Sequence, residues 1–307
     1  MRDRCIELLA PAINKSTAPV VVDATLGLGG HAEALLFTFP KLTIIGIDRD
    51  EEALSRARTR LTNFGDRFKS AHAVFDEISE VVHSFGYQSI DGALFDLGVS
   101  SIQLDEANRG FSYSKEAPLD MRMDRSRGAT ASEILNTYEP GKLVKILRAY
   151  GEEKFATRIV ENIVKARAIS PLNSTTFLAN LVKESIPAAT RRTGGNPAKR
   201  TFQALRIEAN DELGAISRAL PQAMNLLSVG GRIVALSFQS LEDRIVKEIF
   251  VSASTSKSPR DLPIELPEFA AKFSLIVKAS EKPTEKELEE NPRSASVRLR
   301  GIEKVSS

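Results

Sequence analysis

Cysteine is all but missing from this 307-residue chain. The one thiol, Cys5, excludes an intrachain disulfide framework and fits a reducing cytoplasm. Three histidines and one cysteine leave no recognisable metal-ligand spacing. No run approaches the ~20 apolar residues that a bilayer crossing needs, which excludes a membrane helix. The opening Met1-Arg2-Asp3-Arg4, followed by Cys5-Ile6-Glu7-Leu8-Leu9, is amphipathic and too short for a secretory signal. An excess of one charge sign is also lacking. A formal net charge of +2 does not by itself announce a nucleic-acid partner, so the local distribution of charge has to decide. What is present is an ordinary soluble globular composition, 42% hydrophobic and 27% charged, long enough for one large or two ordinary domains.

The organising stretch is Val20-Val21-Val22-Asp23-Ala24-Thr25-Leu26-Gly27-Leu28-Gly29-Gly30-His31. Three β-branched residues before a glycine cluster predict a buried strand ending in a tight turn, and helix formers follow over Ala32–Phe37. Glycines 27, 29 and 30 let backbone approach a ligand or adopt positive φ. A second strand, Leu42–Asp48, ends in an acid about 25 residues after Asp23, placed to accept hydrogen bonds from two ribose hydroxyls. Gly27-x-Gly29-x-x-Ala32 fits the dinucleotide fingerprint, yet a pyrophosphate wants no carboxylate beside its loop. Asp23 therefore favours S-adenosylmethionine, with its ammonium and sulfonium charges, over NAD.

Further along, Asp50–Leu61 predicts an amphipathic helix, Lys69–Phe75 a third strand, and Ile78, Val81, Val82 and Phe85 the stripe of another helix. Ile90–Gly98 is a fourth apolar run closed by Asp96. Strands alternating with helices imply a doubly wound, mostly parallel sheet whose ligands sit beyond the strands' carboxyl ends. Asp23, Gly29, Asp48, Phe75 and Asp96 all fall at such ends. From Gln103 to about Arg200 no buried strand is expected. Three helical patterns, Tyr138–Tyr150, Glu152–Ala168 and Ser174–Ile186, predict an all-helical insertion, giving a sheet domain over 1–102 and 205–307 and an inserted domain over 103–204. The loop Arg191-Arg192-Thr193-Gly194-Gly195-Asn196-Pro197-Ala198-Lys199-Arg200 has four cations and no acid, which suits phosphate contacts. Gln203, Arg206 and Asn210 continue at helical spacing into Asp211–Leu227. The α/β pattern resumes with a buried strand ending near Phe238, then a helix Leu241–Phe250 capped by Ser240 and Asp243. Two last strands, Phe273–Ala279 and Ala295–Gly301, are joined by the polar stretch Glu281–Arg293 read as a loop. That makes an antiparallel edge, usual in class I methyltransferases and uncommon in NAD-binding folds.

Seven motifs in one order carry a resemblance. They are Asp23-Ala-Thr-Leu-Gly-Leu-Gly-Gly-His31, Gly46-Ile-Asp-Arg-Asp50, Phe95-Asp-Leu-Gly-Val-Ser-Ser101, Arg109-Gly-Phe-Ser112, Pro118-Leu-Asp-Met-Arg-Met-Asp124, Thr201-Phe-Gln-Ala-Leu-Arg206 and Ser240-Leu-Glu-Asp-Arg244. Together they resemble the MraW family, the ribosomal RNA small subunit methyltransferases H, over essentially the whole chain. The resemblance implies an α/β class I S-adenosylmethionine-dependent methyltransferase with an inserted helical domain, acting on N4 of a cytosine in the decoding region of 16S ribosomal RNA within the small ribosomal subunit. It implies cofactor contacts from Gly29, Gly30, His31, Asp48, Phe75, Asp96 and Gln103, with Phe75 near the adenine and Asp48 at the ribose. Asp23 joins these on its charge. Asp96 is the expected catalytic group. Arg122, Arg191, Arg192, Lys199, Arg200 and Arg206 are the expected RNA-binding cations, and a homodimer is compatible. Three features depart from the pattern: the family's usual upstream His-x-Pro-Val run is absent here, its histidine in Ser-Phe-His-Ser is Gln239, and the Arg191–Arg200 loop is not one of the seven motifs, so its RNA role rests on charge alone. C5 methylation of cytosine would need a cysteine nucleophile, and Cys5 lies outside every strand-end loop. The competing readings are an NAD-dependent oxidoreductase on the same glycine loop and a non-catalytic RNA-binding module on a methyltransferase fold.

Overall fold

The computed structural model describes residues 1–100, 103, 106–188, 196–259 and 269–307. The chain divides into two compact units, Met1–Gly98 with Leu213–Ser307, and Val99–Glu212.

The first unit is built on β1 (Val20–Asp23), β2 (Thr43–Asp48), β3 (Phe68–His72), β4 (Ile90–Asp96), β5 (Leu227–Ser237), β6 (Phe273–Leu275) and β7 (Arg298–Lys304), in the order β3-β2-β1-β4-β5-β7-β6. The first five are parallel to one another; β7 runs antiparallel to β5 and to β6. This is the class I methyltransferase fold. Alternation along each strand feeds two cores. Val20, Val22, Ile45, Ile47, Ala93 and Phe95 pack on one face with residues of α4 (Ile78–Ser84) and of the helix preceding β5. Val21, Ile44 and Leu94 pack on the other with α1 (Arg2–Lys15), α2 (Gly30–Thr38) and α3 (Glu51–Leu61). Both faces are covered, so the strands read as continuous apolar runs rather than half-polar ones. Among the described residues no helix is long and apolar enough to cross a membrane.

The second unit contains α5 (Ala131–Thr137), α6 (Pro140–Gly151), α7 (Ala156–Arg167), α8 (Thr175–Ser185) and α9 (Lys199–Asn210). Leu135, Leu147, Ile159, Val160, Ile163, Leu178 and Phe202 share its core. Its described residues hold one isolated bridge, Pro118 to Ser174, and no strand. Two of the sequence motifs build its entry loop. Gly110 sits at φ 75°, and a Cβ there would fall 2.3 Å from Pro118 O, which only glycine tolerates. Asn210 brackets the second motif, accepting from Met123 N at 2.8 Å and donating to Met121 O at 2.8 Å.

Several local expectations shift. The third strand stops at His72, and Phe75 begins a 3-10 turn, Phe75–Glu77. The helical pattern through Asn210 breaks at Asp211, which adopts φ 47° and ψ 41°, before α10 (Glu212–Leu226) starts. The cap of α11 (Ser240–Ala253) is Gln239 with Glu242, not Ser240 with Asp243. Asp243 instead takes a two-pronged bond from Arg300, at 2.7 and 3.0 Å. The stretch expected to be a loop holds α12 (Glu285–Glu290), and the last strand lies three residues later than expected.

Candidate active site

Four neighbouring strands, β2, β1, β4 and β5, end in hydrogen-bonding side chains at the centre of the sheet: Asp23 on β1, Asp48 on β2, Asp96 on β4 and Ser237 on β5. Parallel registry places these ends on one rim of the sheet. The chain leaving β1 is pinned there. Ala24 N donates to Leu94 O and Leu26 N to Ile47 O, both at 2.9 Å. Gly29 then caps α2 in the left-handed region, at φ 75°. A Cβ on Gly29 would press to 3.0 Å from Leu61 Cδ1, so the loop lies close on α3. Gly46 allows Leu26 to tuck under the loop, because a Cβ there would be 2.7 Å from Leu26 Cδ2.

Asp48 ties the glycine loop to β2. Its carboxylate accepts from Gly27 N at 2.7 Å and from Asp50 N at 2.8 Å. Burial raises the Asp48 carboxyl against the pull of those two bonds. Each oxygen keeps lone-pair capacity for a further donor.

Asp23 is 1% exposed, and its Oδ1 has a long bond from Thr25 N at 3.4 Å. Its Oδ2 is buried with no hydrogen-bond partner. Burial pushes its carboxyl up to about 7, with His31 opposing and Asp96 adding to the rise. His31, one residue into α2, points its Nε2 at Asp96 Oδ2, 3.3 Å away. Burial would lower the imidazole, but the Asp96 hydrogen bond and the charges of Asp96 and Asp23 leave it above its ordinary value. His31 Nδ1 and Asp96 Oδ1 are likewise buried without partners. Asp96 is fixed from behind by its N–H, which donates to Thr25 Oγ1 at 2.6 Å.

This rim fits a cationic nucleoside ligand. A buried carboxylate oxygen without a donor is costly unless a positive or N–H-bearing group completes it, and Asp23 Oδ2 and Asp96 Oδ1 are two such atoms on this rim, the Asp96 carboxylate standing against an imidazole. A pyrophosphate would meet repulsion at both. Phe75 stands at the same end of the sheet, half-buried and edge-to-face with Phe95 at a centroid distance of 6.0 Å.

The rim thus gathers Asp23, Gly29, Gly30, His31, Asp48, Phe75 and Asp96 within the first unit. Gln103 belongs to the second unit, where its Oε1 accepts from Ser100 N at 3.1 Å. Arg122 and Arg206 are also in the second unit, each engaged by a carboxylate at two points: Arg122 by Asp120 at 2.7 and 3.2 Å, Arg206 by Glu212 at 2.8 and 3.0 Å. Lys199 and Arg200 are exposed on the first turn of α9. Arg191 and Arg192 lie outside the described residues. Cys5 is buried in α1, and burial pushes its thiol far up, which suits packing and not attack. Ser237 and Gln239 were not among the expected site residues. Their place at the end of the strand next to Asp96 was the signal that would have included them.

The MraW methylase family model matches residues 1–305. The chain is 54% identical over 303 residues to the ribosomal RNA small subunit methyltransferase H of Salinispora arenicola, an alignment covering 99% of this chain and 82% of that protein. It is 52% identical over 305 residues to the Streptomyces avermitilis protein of the same name, covering 99% and 96%. With the Mycobacterium marinum protein of that name the identity is 53% over 312 residues, covering 99% and 79%.

Proposed function

Because this chain belongs to the MraW methylase family, we propose that it methylates the RNA of the small ribosomal subunit with S-adenosylmethionine, at N4 of a cytosine in the decoding region of 16S RNA. The observation that carries the reading is the pair of unsatisfied buried carboxylate oxygens, Asp23 Oδ2 and Asp96 Oδ1, at the rim beside the glycine loop. When bound, the cofactor supplies an electrophilic methyl on a sulfonium centre. Asp23 faces the donor's positive charge, Asp48 accepts from its ribose, and Phe75 flanks its adenine.

An exocyclic aromatic amine is a weak nucleophile, since its lone pair is delocalised into the ring. The chain's task is to hold that amine in line with the methyl and to accept hydrogen bonds from its protons as positive charge grows on nitrogen. Asp96 Oδ1 is the assigned acceptor, and the His31 contact holds the carboxylate so that this oxygen stays turned to the pocket. On methyl transfer Asp96 Oδ1 would take up the proton that the amine gives up as it is methylated, for later release to solvent. Lys199 and Arg200, with Arg191 and Arg192, are the proposed phosphate contacts. The test is incubation of the protein with methyl-labelled cofactor and small subunits that lack the mark, followed by nucleoside analysis. Label in N4-methylated cytidine is expected. Label in a C5-methylated base, or none, overturns the reading.

A further inference from the structure

Two chain segments leave the sheet side by side in the first unit. Asp96 is in register with Leu236, and Leu97 N donates to Leu236 O at 2.9 Å. A Cβ on Gly98 would lie 3.6 Å from Phe238 Cδ2, so residues 237–239 run beside residues 96–98. Three oxygens at this place are buried with no hydrogen-bond partner: Asp96 Oδ1, Ser237 Oγ and Gln239 Oε1. Asp96 Oδ1 and Gln239 Oε1 can only accept, and buried acceptors are normally satisfied, so this pair calls for a further donor.

Gln239 is the most constrained of the three. Its Nε2 donates to Glu242 Oε1 at 2.9 Å. The other Glu242 oxygen accepts from Phe238 N at 2.8 Å and Gln239 N at 3.2 Å. Glu242 is itself 1% exposed. A carboxylate accepting backbone N–H bonds cannot donate, so the amide nitrogen must face Glu242 and the carbonyl must face away from it. The cap of α11 therefore fixes the direction of one unsatisfied carbonyl.

A primary amine on an aromatic ring presents two N–H donors in the ring plane, while a methyl group must arrive perpendicular to that plane. We propose that Gln239 is a substrate-positioning residue whose Oε1 accepts one in-plane N–H of the target amine while Asp96 Oδ1 accepts the other. The proposal rests on the methyl-transfer reading above and deepens it, because two fixed acceptors select an amino-bearing base against one carrying a carbonyl at that position. The proton lost on transfer is the one facing Asp96; the one facing Gln239 stays on nitrogen.

The test uses the full chain with Gln239→Met, which keeps volume and removes both the acceptor and the Nε2 donor to Glu242, and with Gln239→His, whose neutral ring can restore both. Single-turnover methyl transfer to small subunits lacking the mark is measured beside cofactor Kd. Gln239→Met should slow transfer at least tenfold with cofactor Kd changed less than twofold. In Gln239→His the ring can donate one N–H to Glu242 and accept through its other nitrogen only while neutral. Its rate relative to wild type should therefore approach one at high pH and fall through an acid limb at or above the ordinary imidazole value of about 6.5, because the Glu242 carboxylate favours the charged ring. Taking the ratio at each pH removes the shared titration of Asp23, His31, Asp48 and Asp96, leaving Glu242 beside the new ring; Asp243 is engaged by Arg300. Transfer within twofold of wild type in Gln239→Met, a loss that appears in cofactor Kd, or a flat pH ratio for Gln239→His overturns the proposal. Wild-type protein that binds cofactor and methylates nothing would instead remove the methyl-transfer reading and the proposal with it.

Discussion

Asp23 carries opposite signs for stability and for binding. Its folded-state carboxyl, near 7, lies above the ordinary carboxylate value. The folded chain thus holds a proton that the unfolded chain has lost between about pH 4 and 7, and stability falls as pH rises through that window. Asp23→Asn removes this penalty. Its apoprotein should melt higher than wild type at pH 8, with no advantage at pH 4, and the upper bound on the gain is about 4 kcal/mol. A melting difference independent of pH would refute the assignment. Binding runs the other way, because a cationic ligand favours the ionised carboxylate. Cofactor affinity of the wild type should rise between pH 5.5 and 8, and Asp23→Asn should weaken it by at least tenfold while flattening that dependence. Isothermal titration across this range reads both effects. A residue that costs stability when empty and strengthens binding when filled is the pattern expected of a binding group, not of a core acid.

Among the elements, α2 is the one whose start the ligand loop dictates. Gly29→Ala would force a side chain into the left-handed region and press on Leu61. The backbone term alone is about 1–2 kcal/mol, so a lower melting temperature and weaker cofactor binding should appear together. Asp50, capping α3 through Glu52 N and Ala53 N, is a useful contrast. Asp50→Ala should cost about 1 kcal/mol and leave the glycine loop's binding largely intact. The elements also show what sequence could and could not reveal. β1, β2 and β4 were legible because strands buried on both faces must be apolar throughout, and their terminal acids stood out against that background. α5 and α12 were missed although Thr130 with Glu133 and Thr284 with Glu287 form capping boxes that announce both helices. Each helix is under two turns, too short for an apolar stripe to repeat. The break at Asp211 was hidden because apolar spacing continues across it. The role of Glu242 was hidden because its partners are backbone N–H groups and a glutamine amide, and spacing alone pointed one residue further on, to Asp243.

At the scale of the whole molecule a net charge of +2 says little about RNA, and the pairing of individual cations says more. Arg206 is committed to Glu212, a buried carboxylate, within the second unit. Arg206→Ala would strand that carboxylate, a loss of about 3–5 kcal/mol for a buried pair, so its first symptom should be a lower melting temperature. Lys199 and Arg200 are exposed, and the Arg200 guanidinium donates to the Glu152 carbonyl at 3.1 Å, a contact that neutralises no charge. Replacing both with alanine should leave melting and cofactor Kd unchanged while raising KM for the small subunit. The dependence of log affinity on log salt should flatten by about 0.7 to 0.9 for each cation that touches a phosphate. If Arg206→Ala instead flattened the salt dependence at unchanged melting temperature, and the Lys199 and Arg200 replacements did not, the RNA-facing charge would have to be reassigned to the paired arginines. On the proposed reading, replacements on the rim of the first unit should act on kcat and replacements on α9 of the second on KM.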